Sequence, residues 1–124
     1  MDVKKYAPIL ARYGVGIVFF LFGILQLINP QSWVSWLPEF IVNNFDPVTF
    51  IYVNGIFDLV IGAFLLVGFL TRIVALLGIL HLLGVIFSLG FNDISIRDFG
   101  LLLVLVSVLL HGSDEWCLDK KIWK

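Results

Sequence analysis

The sequence predicts an all-α membrane protein, a four-transmembrane-helix bundle with a short interfacial helix between the first and second spans. Three observations predict it. Hydrophobic residues make up 60% of the 124 and charged residues only 14%, where a soluble domain carries about a quarter charged. Mean hydropathy is +1.05. The apolar residues fall in four runs separated by proline, glycine and polar breaks, and the first three runs approach the roughly 20 residues that a membrane-spanning helix needs. The length suits one integral-membrane domain over residues 1–124, its core made by helix against helix.

The first run covers residues 9–28. Lys4 and Lys5 precede it as they would in a signal peptide, but the run is longer than the about 7–15 residues of a signal core and no small-x-small cleavage site follows. It reads as a retained span. Asn29-Pro30 ends it, because proline cannot continue a helix. The connection 30–47 carries Trp33, Trp36, Leu37, Phe40, Ile41 and Phe45 among polar residues. Tryptophan favours the headgroup boundary, so a short interfacial or re-entrant helix is expected there. An aromatic anchor is the simpler reading, and a lid over a cavity between the helices is the alternative. The second span covers 48–70 and the third 72–91. Gly68-Phe-Leu-Thr-Arg72 marks a tight turn between them, with Thr71 as N-cap of the third helix. The fourth span, 96–112, is shorter, which suits less tilt or a thinned bilayer. Ser95-Ile-Arg-Asp98 fits its start signal. Residues 113–124 form a cytoplasmic tail.

An even number of spans puts both termini on one side of the cell membrane. Lys4, Lys5, Arg12, Arg72, Lys120, Lys121 and Lys124 share that side and Arg97 alone lies opposite. Cytoplasmic loops carry the excess of Lys and Arg, so both termini are expected in the cytoplasm. Net charge is −1, which leaves no basic footprint for nucleic acid. The single cysteine, Cys117, forms neither an internal disulfide nor a Cys-x-x-Cys redox pair. It reads as an interfacial tail residue, and juxtamembrane palmitoylation has no support beyond its position.

The few polar residues of the spans fall on stripes. Arg12, Gly16, Gly23 and Gln26 share one face of the first helix; Asn54, Asp58 and Gly62 share one of the second. Gly78, His81, Gly84 and Ser88 do the same in the third, and Arg97, Gly100, Ser107 and His111 in the fourth. Small residues mark close helix approach in membranes, so the four stripes are expected to converge on a polar seam inside the bundle. A charge at mid-membrane depth is costly, which makes Asp58 the leading functional candidate. At about 1.5 Å per residue, Asp58 and His81 both fall near the middle of a core about 30 Å thick, so a His81–Asp58 pair is allowed. Arg97, Asp98, Gln26 and Asn54 are expected nearer the outer surface. Arg12 and Arg72 read more simply as snorkelling end-anchors, and His111 as a group satisfying the last carbonyls of its helix. Arg97 and Asp98 read as an ion pair or as the cap of helix four, and a lone His81 is more often a satisfied interior residue than a catalyst. Gly23-Ile-Leu-Gln-Leu echoes Gly78-Ile-Leu-His-Leu, but simple counting places Gln26 and His81 at different depths. No metal site is expected, since Asp58 and His81 are too few ligands.

Several residues together carry a resemblance. Arg12 with Gly16, Phe22-Gly23 followed by Gln-Leu and Pro30, Gly55-x-x-Asp58-x-x-x-Gly62, Gly68-Phe-Leu-Thr-Arg72 with Ala75, and Arg97-Asp98-x-Gly100-Leu resemble the DoxX family of small four-span membrane proteins. The resemblance runs from about Ala11 to Gly112. The family commonly has glutamate at the place of Asp58 and often lysine at the place of Gln26. Loss of the lysine would leave the task of counter-ion to His81 or Arg97. Members related to the small subunit of thiosulfate:quinone oxidoreductase imply quinone-linked redox work. A quinone is thus the cofactor that the resemblance implies; none is evident in the residues themselves.

Three functions fit these residues, and none fixes a catalytic residue. The first is an accessory or ligand-binding subunit of a membrane redox system, holding a quinone-like or other apolar molecule. Asp58 and His81 then handle protons, Arg97 and Asp98 form the outer mouth, and a partner protein supplies the electron carrier. The second is a small proton-coupled transporter, which would need a homo-oligomer to widen its path. The third is a structural or assembly scaffold in the lipid bilayer, in which Asp58, His81 and Arg97 only lock the bundle.

Overall fold

The computed structural model describes residues 3–37, 39–89, 93–112 and 117, with the side chains of all except Lys5, Trp36, Ser88, Leu89, Asp93 and Ile94. Lys120, Lys121, Lys124 and the rest of the tail beyond Cys117 lie outside the described residues, as do the side chains of Ser88 and Asp93. Helices α1 (Tyr6–Ile28), α2 (Glu39–Asn44), α3 (Pro47–Val67), α4 (Thr71–Leu89) and α5 (Asp93–His111) account for most of them, with 3-10 turns at Val3–Lys5 and Pro30–Trp36. No strand occurs among the described residues. By length and composition α1 and α3 are apolar enough to cross a membrane, while the apolar stretch of α4 over Thr71–Phe87 is shorter. Large apolar side chains such as Leu10, Ile28, Val53, Phe87 and Leu110 lie more than half exposed on the outside of the long helices. An apolar exterior of that extent belongs against lipid.

The helices break where the sequence punctuates. Pro30 opens the 3-10 turn after Asn29, and Pro47 occupies the first turn of α3 behind Asp46, whose Oδ2 accepts from Thr49 Oγ1 at 2.6 Å. Gly68 ends α3 in the left-handed region at φ 75°. Its N–H and that of Phe69 both bond the Phe64 carbonyl, at 2.8 and 3.1 Å, which is the glycine stop of a helix C-terminus. Two expected caps differ. The first carbonyl of α4 to accept a helical bond is that of Leu70, from Val74 N–H at 2.9 Å, so Thr71 is already inside the helix. Its hydroxyl lies 3.5 Å from Cys117 Sγ instead. Ser95 likewise lies inside α5, which begins at Asp93, and is buried.

Packing is most extensive between α1 and α3, then between α4 and α5. Glycine sets the first contact. A Cβ on Gly23 would lie 2.6 Å from Leu59 N and 2.7 Å from Gly55 O; one on Gly62 would lie 2.7 Å from Phe20 Cα. The backbones of α1 and α3 therefore touch, as small-residue stripes require. The stripe read for the last helix does not turn inward. Arg97, Gly100, Ser107 and His111 are exposed, and α5 buries Ser95, Asp98, Leu102, Leu105 and Val108 instead. In a helix apolar nearly all round, glycine and serine are tolerated on either face, so they do not mark the buried one.

Arg12 is a second correction. Rather than snorkelling, it is fully buried. Its Nη1 donates to the Leu65 carbonyl at 2.5 Å and the Leu66 carbonyl at 2.9 Å, and its guanidinium lies 4.6 Å from the Tyr13 ring centroid. It satisfies the final turn of α3, where carbonyls lack helical partners and cations are favoured. Arg72 remains exposed and reaches the Leu110 carbonyl near the end of α5 at 3.4 Å. Cys117 is also buried, not an open tail position; a Cβ on Gly68 would fall 2.6 Å from its Cα.

Candidate functional site

Asp58 sits on the buried face of α3, 6% exposed, and three side chains converge on it. Gln26 of α1 donates from Nε2 to Oδ2 at 2.9 Å and to the Phe22 carbonyl at 3.2 Å. Asn54, one turn before Asp58, donates from Nδ2 to Gln26 Oε1 at 2.7 Å and to Asp58 Oδ2 at 3.3 Å. From α4, His81 Nε2 approaches Oδ1 to 3.2 Å. That approach is close enough for an ion pair but lacks hydrogen-bond alignment, and Oδ1 is a buried side-chain atom with no hydrogen-bond partner among the described residues. The His81 ring is held against Phe57, centroids 4.9 Å apart.

This cluster is tighter than the sequence implied. Gln26 and Asn54, expected nearer the outer surface, reach Asp58 directly. Counting residues along separate helices misses how far the glycine contact lets α1 approach α3, and how far a glutamine side chain extends. The echo between Gly23-Ile-Leu-Gln-Leu and Gly78-Ile-Leu-His-Leu gains a meaning from the same geometry. Each glycine lies against a neighbouring helix, and the polar residue three positions later lies against Asp58.

Arg97 and Asp98 form a separate pair on the first turns of α5, Nη2 to Oδ1 at 3.4 Å. Asp98 is buried, whereas the Arg97 side chain is 48% exposed and lies over the Phe22 ring, 4.8 Å from its centroid. Arg97 is thus occupied by Asp98 and Phe22, and His81 is the charged-capable group that faces Asp58. His111 Nδ1 lies 3.4 Å from the Gly112 carbonyl, at the far end of α5.

Both groups line one cavity of about 370 Å³, within the range of small-molecule sites. Val18, Phe19 and Phe22 of α1, Phe50 and Ile51 of α3, Leu80 and Val85 of α4 and Leu101 of α5 make its apolar walls. Trp33, Leu37 and Ile41 come to it from the 30–47 connection, with Trp33 edge-on to Phe22 at 5.7 Å between centroids. The connection therefore forms part of the wall of a half-open cavity, which the aromatic-anchor reading alone did not provide for. Phe22 is a site residue that sequence reasoning passed over, and Trp33 entered it only as an anchor or lid aromatic, since an aromatic beside lipid and one beside a cavity look alike in a one-dimensional pattern.

Chemically the arrangement offers a half-open, largely apolar cavity with a carboxylate, two amides and an imidazole at one place in its wall. Burying a carboxylate is unfavourable unless hydrogen bonds replace water, and here the amides do so at Oδ2 only. Among the described residues no group of three or more His, Cys, Asp or Glu side chains is placed to hold a metal ion.

Neither a curated protein nor a solved structure matches the chain. Residues 7–90 match the family model described as DoxX. That stretch is about two thirds of the chain and holds α1 but for Tyr6, the 30–47 connection, α3, α4, and the Gln26–Asn54–Asp58–His81 cluster. The chain belongs to the DoxX family of membrane proteins.

Proposed function

We propose that this is a four-span protein of the cell membrane, with both termini in the cytoplasm, whose cavity holds a small, largely apolar molecule of the quinone type. It serves as an accessory or ligand-binding subunit of a membrane redox system. The observation that carries this reading is the cavity itself, apolar in its walls, lined in part by the 30–47 connection and bordered by Asp58 with its polar partners. The four long helices have 19 to 23 residues. At about 1.5 Å per residue that length suits a hydrocarbon core of about 30 Å. The bias of basic residues to one side supports the orientation. Gln26, Asn54 and His81 would hold the Asp58 carboxylate against the ligand's polar head, and Arg97 and Asp98 would stand beside it. Electrons come from a partner protein.

Purified protein in lipid nanodiscs, titrated with a short-tailed quinone–quinol mixture, tests the reading. Saturable quenching of tryptophan fluorescence and a rise in Tm are expected in the wild type, and Asp58→Asn is expected to weaken both about tenfold or more. If Asp58 only locks the bundle, Asp58→Asn lowers Tm and leaves the quenching curve unchanged, and the reading fails. The threading is tested by Asn44→Cys, which an impermeant maleimide should label from outside intact cells.

A further inference from the structure

The donors around Asp58 can be accounted for one by one. Each of the two neighbouring amides has two N–H groups. Those of Gln26 go to the Phe22 carbonyl and to Asp58 Oδ2; those of Asn54 go to Gln26 Oε1 and, more weakly, to Asp58 Oδ2. Both amides are thereby spent, and both serve the same carboxylate oxygen. Arg97 is engaged by Asp98 and Phe22. His81 Nε2 lies 3.2 Å from Oδ1 without the alignment of a hydrogen bond. Oδ1 is itself buried and Asp58 lines the cavity, so a small turn of the carboxylate would bring the unbonded oxygen to the cavity and not to bulk water.

We propose that the cavity selects a ligand whose head group donates a hydrogen bond to Asp58 Oδ1, a hydroxyl- or amine-bearing head in preference to a carbonyl one. This rests on the ligand-binding reading above and specifies its chemistry. A carbonyl head brings its lone pairs toward a carboxylate oxygen that already lacks a donor. A hydroxyl head supplies the missing bond, and a charge-assisted bond of that kind is stronger than a neutral one. Leaving a buried acceptor unsatisfied corresponds to about a tenfold to hundredfold loss in binding.

The test uses two probes with one tail, decylubiquinol kept reduced under anaerobic conditions and decylubiquinone, each titrated separately into the wild-type protein in nanodiscs. The quinol is expected to bind at least about tenfold more tightly. In Asp58→Asn the donors of Gln26 and Asn54 draw the new amide oxygen to the place of Oδ2. That leaves the amide N–H₂, which cannot accept, at the place of Oδ1, so the quinol preference disappears. Equal binding of the two probes to the wild type, or tighter binding of the quinone, overturns the inference and leaves the ligand-binding reading standing. A quinol preference that survives unchanged in folded Asp58→Asn also overturns it. Binding of neither probe overturns the ligand-binding reading, and the inference with it.

Discussion

Of the charged residues buried in this bundle, Arg12 and Asp58 lie in opposite surroundings. Near one end Arg12 is enclosed by packed side chains and by the last turn of α3, where Nη1 is taken up by the Leu65 and Leu66 carbonyls. Toward the other end Asp58 borders a cavity of about 370 Å³; one of its oxygens is held by amides and the other is left without a hydrogen bond. Burial by itself therefore does not mark function. A buried charge whose bonding is used up in closing a helix end belongs to the scaffold. One that keeps an unbonded acceptor beside a cavity is equipped to meet a ligand.

Substitutions can break or sharpen that contrast. The largest effect is expected from Gly62→Ala, whose Cβ would lie 2.7 Å from Phe20 Cα and 2.8 Å from Gly16 O. It must push α1 from α3, with a loss of about 3 kcal/mol in stability and of ligand binding as well, since Gln26 would be carried away from Asp58. Thermal unfolding in detergent and the quenching titration read both together.

Arg12→Met comes next. It leaves the carbonyls of the last α3 turn without their charged donor, at a cost of about 2 kcal/mol. The affinity of the molecules that remain folded should be unchanged, which a titration at low temperature will show; a loss of affinity there would erase the distinction between Arg12 and Asp58. Gly84→Ala should have the smallest effect, and of opposite sign. Gly84 also lines the cavity, yet a Cβ there meets nothing within 4 Å. Relief from glycine in a helix interior should raise stability by up to about 1 kcal/mol, seen as a small increase in Tm. A decrease would mean that α4 is packed more closely at Gly84 than it is in this structure.

Much of the site was legible before any coordinates. Asp58 stood out by the cost of a carboxylate in an apolar run, and His81 followed from depth counting along two helices. Gln26 and Asn54 were on the right faces, though placed too far from Asp58. The cavity was legible only as the alternative reading of the 30–47 connection, and its lining was not. Its walls are Phe, Leu, Ile and Val, the same residues that meet lipid elsewhere on the chain, so hydropathy cannot tell an enclosed surface from an outer one. The same degeneracy misdirected the reading of α5, where the glycine and serine positions are exposed and Asp98 with Leu102, Leu105 and Val108 is buried. Arg12 and Cys117 were misread for a related reason. Their partners are a helix end 53 residues away for Arg12 and Thr71, 46 residues away, for Cys117, and no local pattern announces a contact over such a separation.

The sequence by itself determined the all-helical class, most of the helix ends and the residue types available for chemistry. Those follow from local rules: proline and left-handed glycine stop helices, and long apolar runs bury their backbone groups in helical bonds. Only the tertiary structure decided which apolar faces enclose a cavity, which buried charge is fully bonded and which carboxylate oxygen is left over. Those outcomes depend on how close two helices come and at what rotation, and that is set by steric fit at a few glycines rather than by hydropathy.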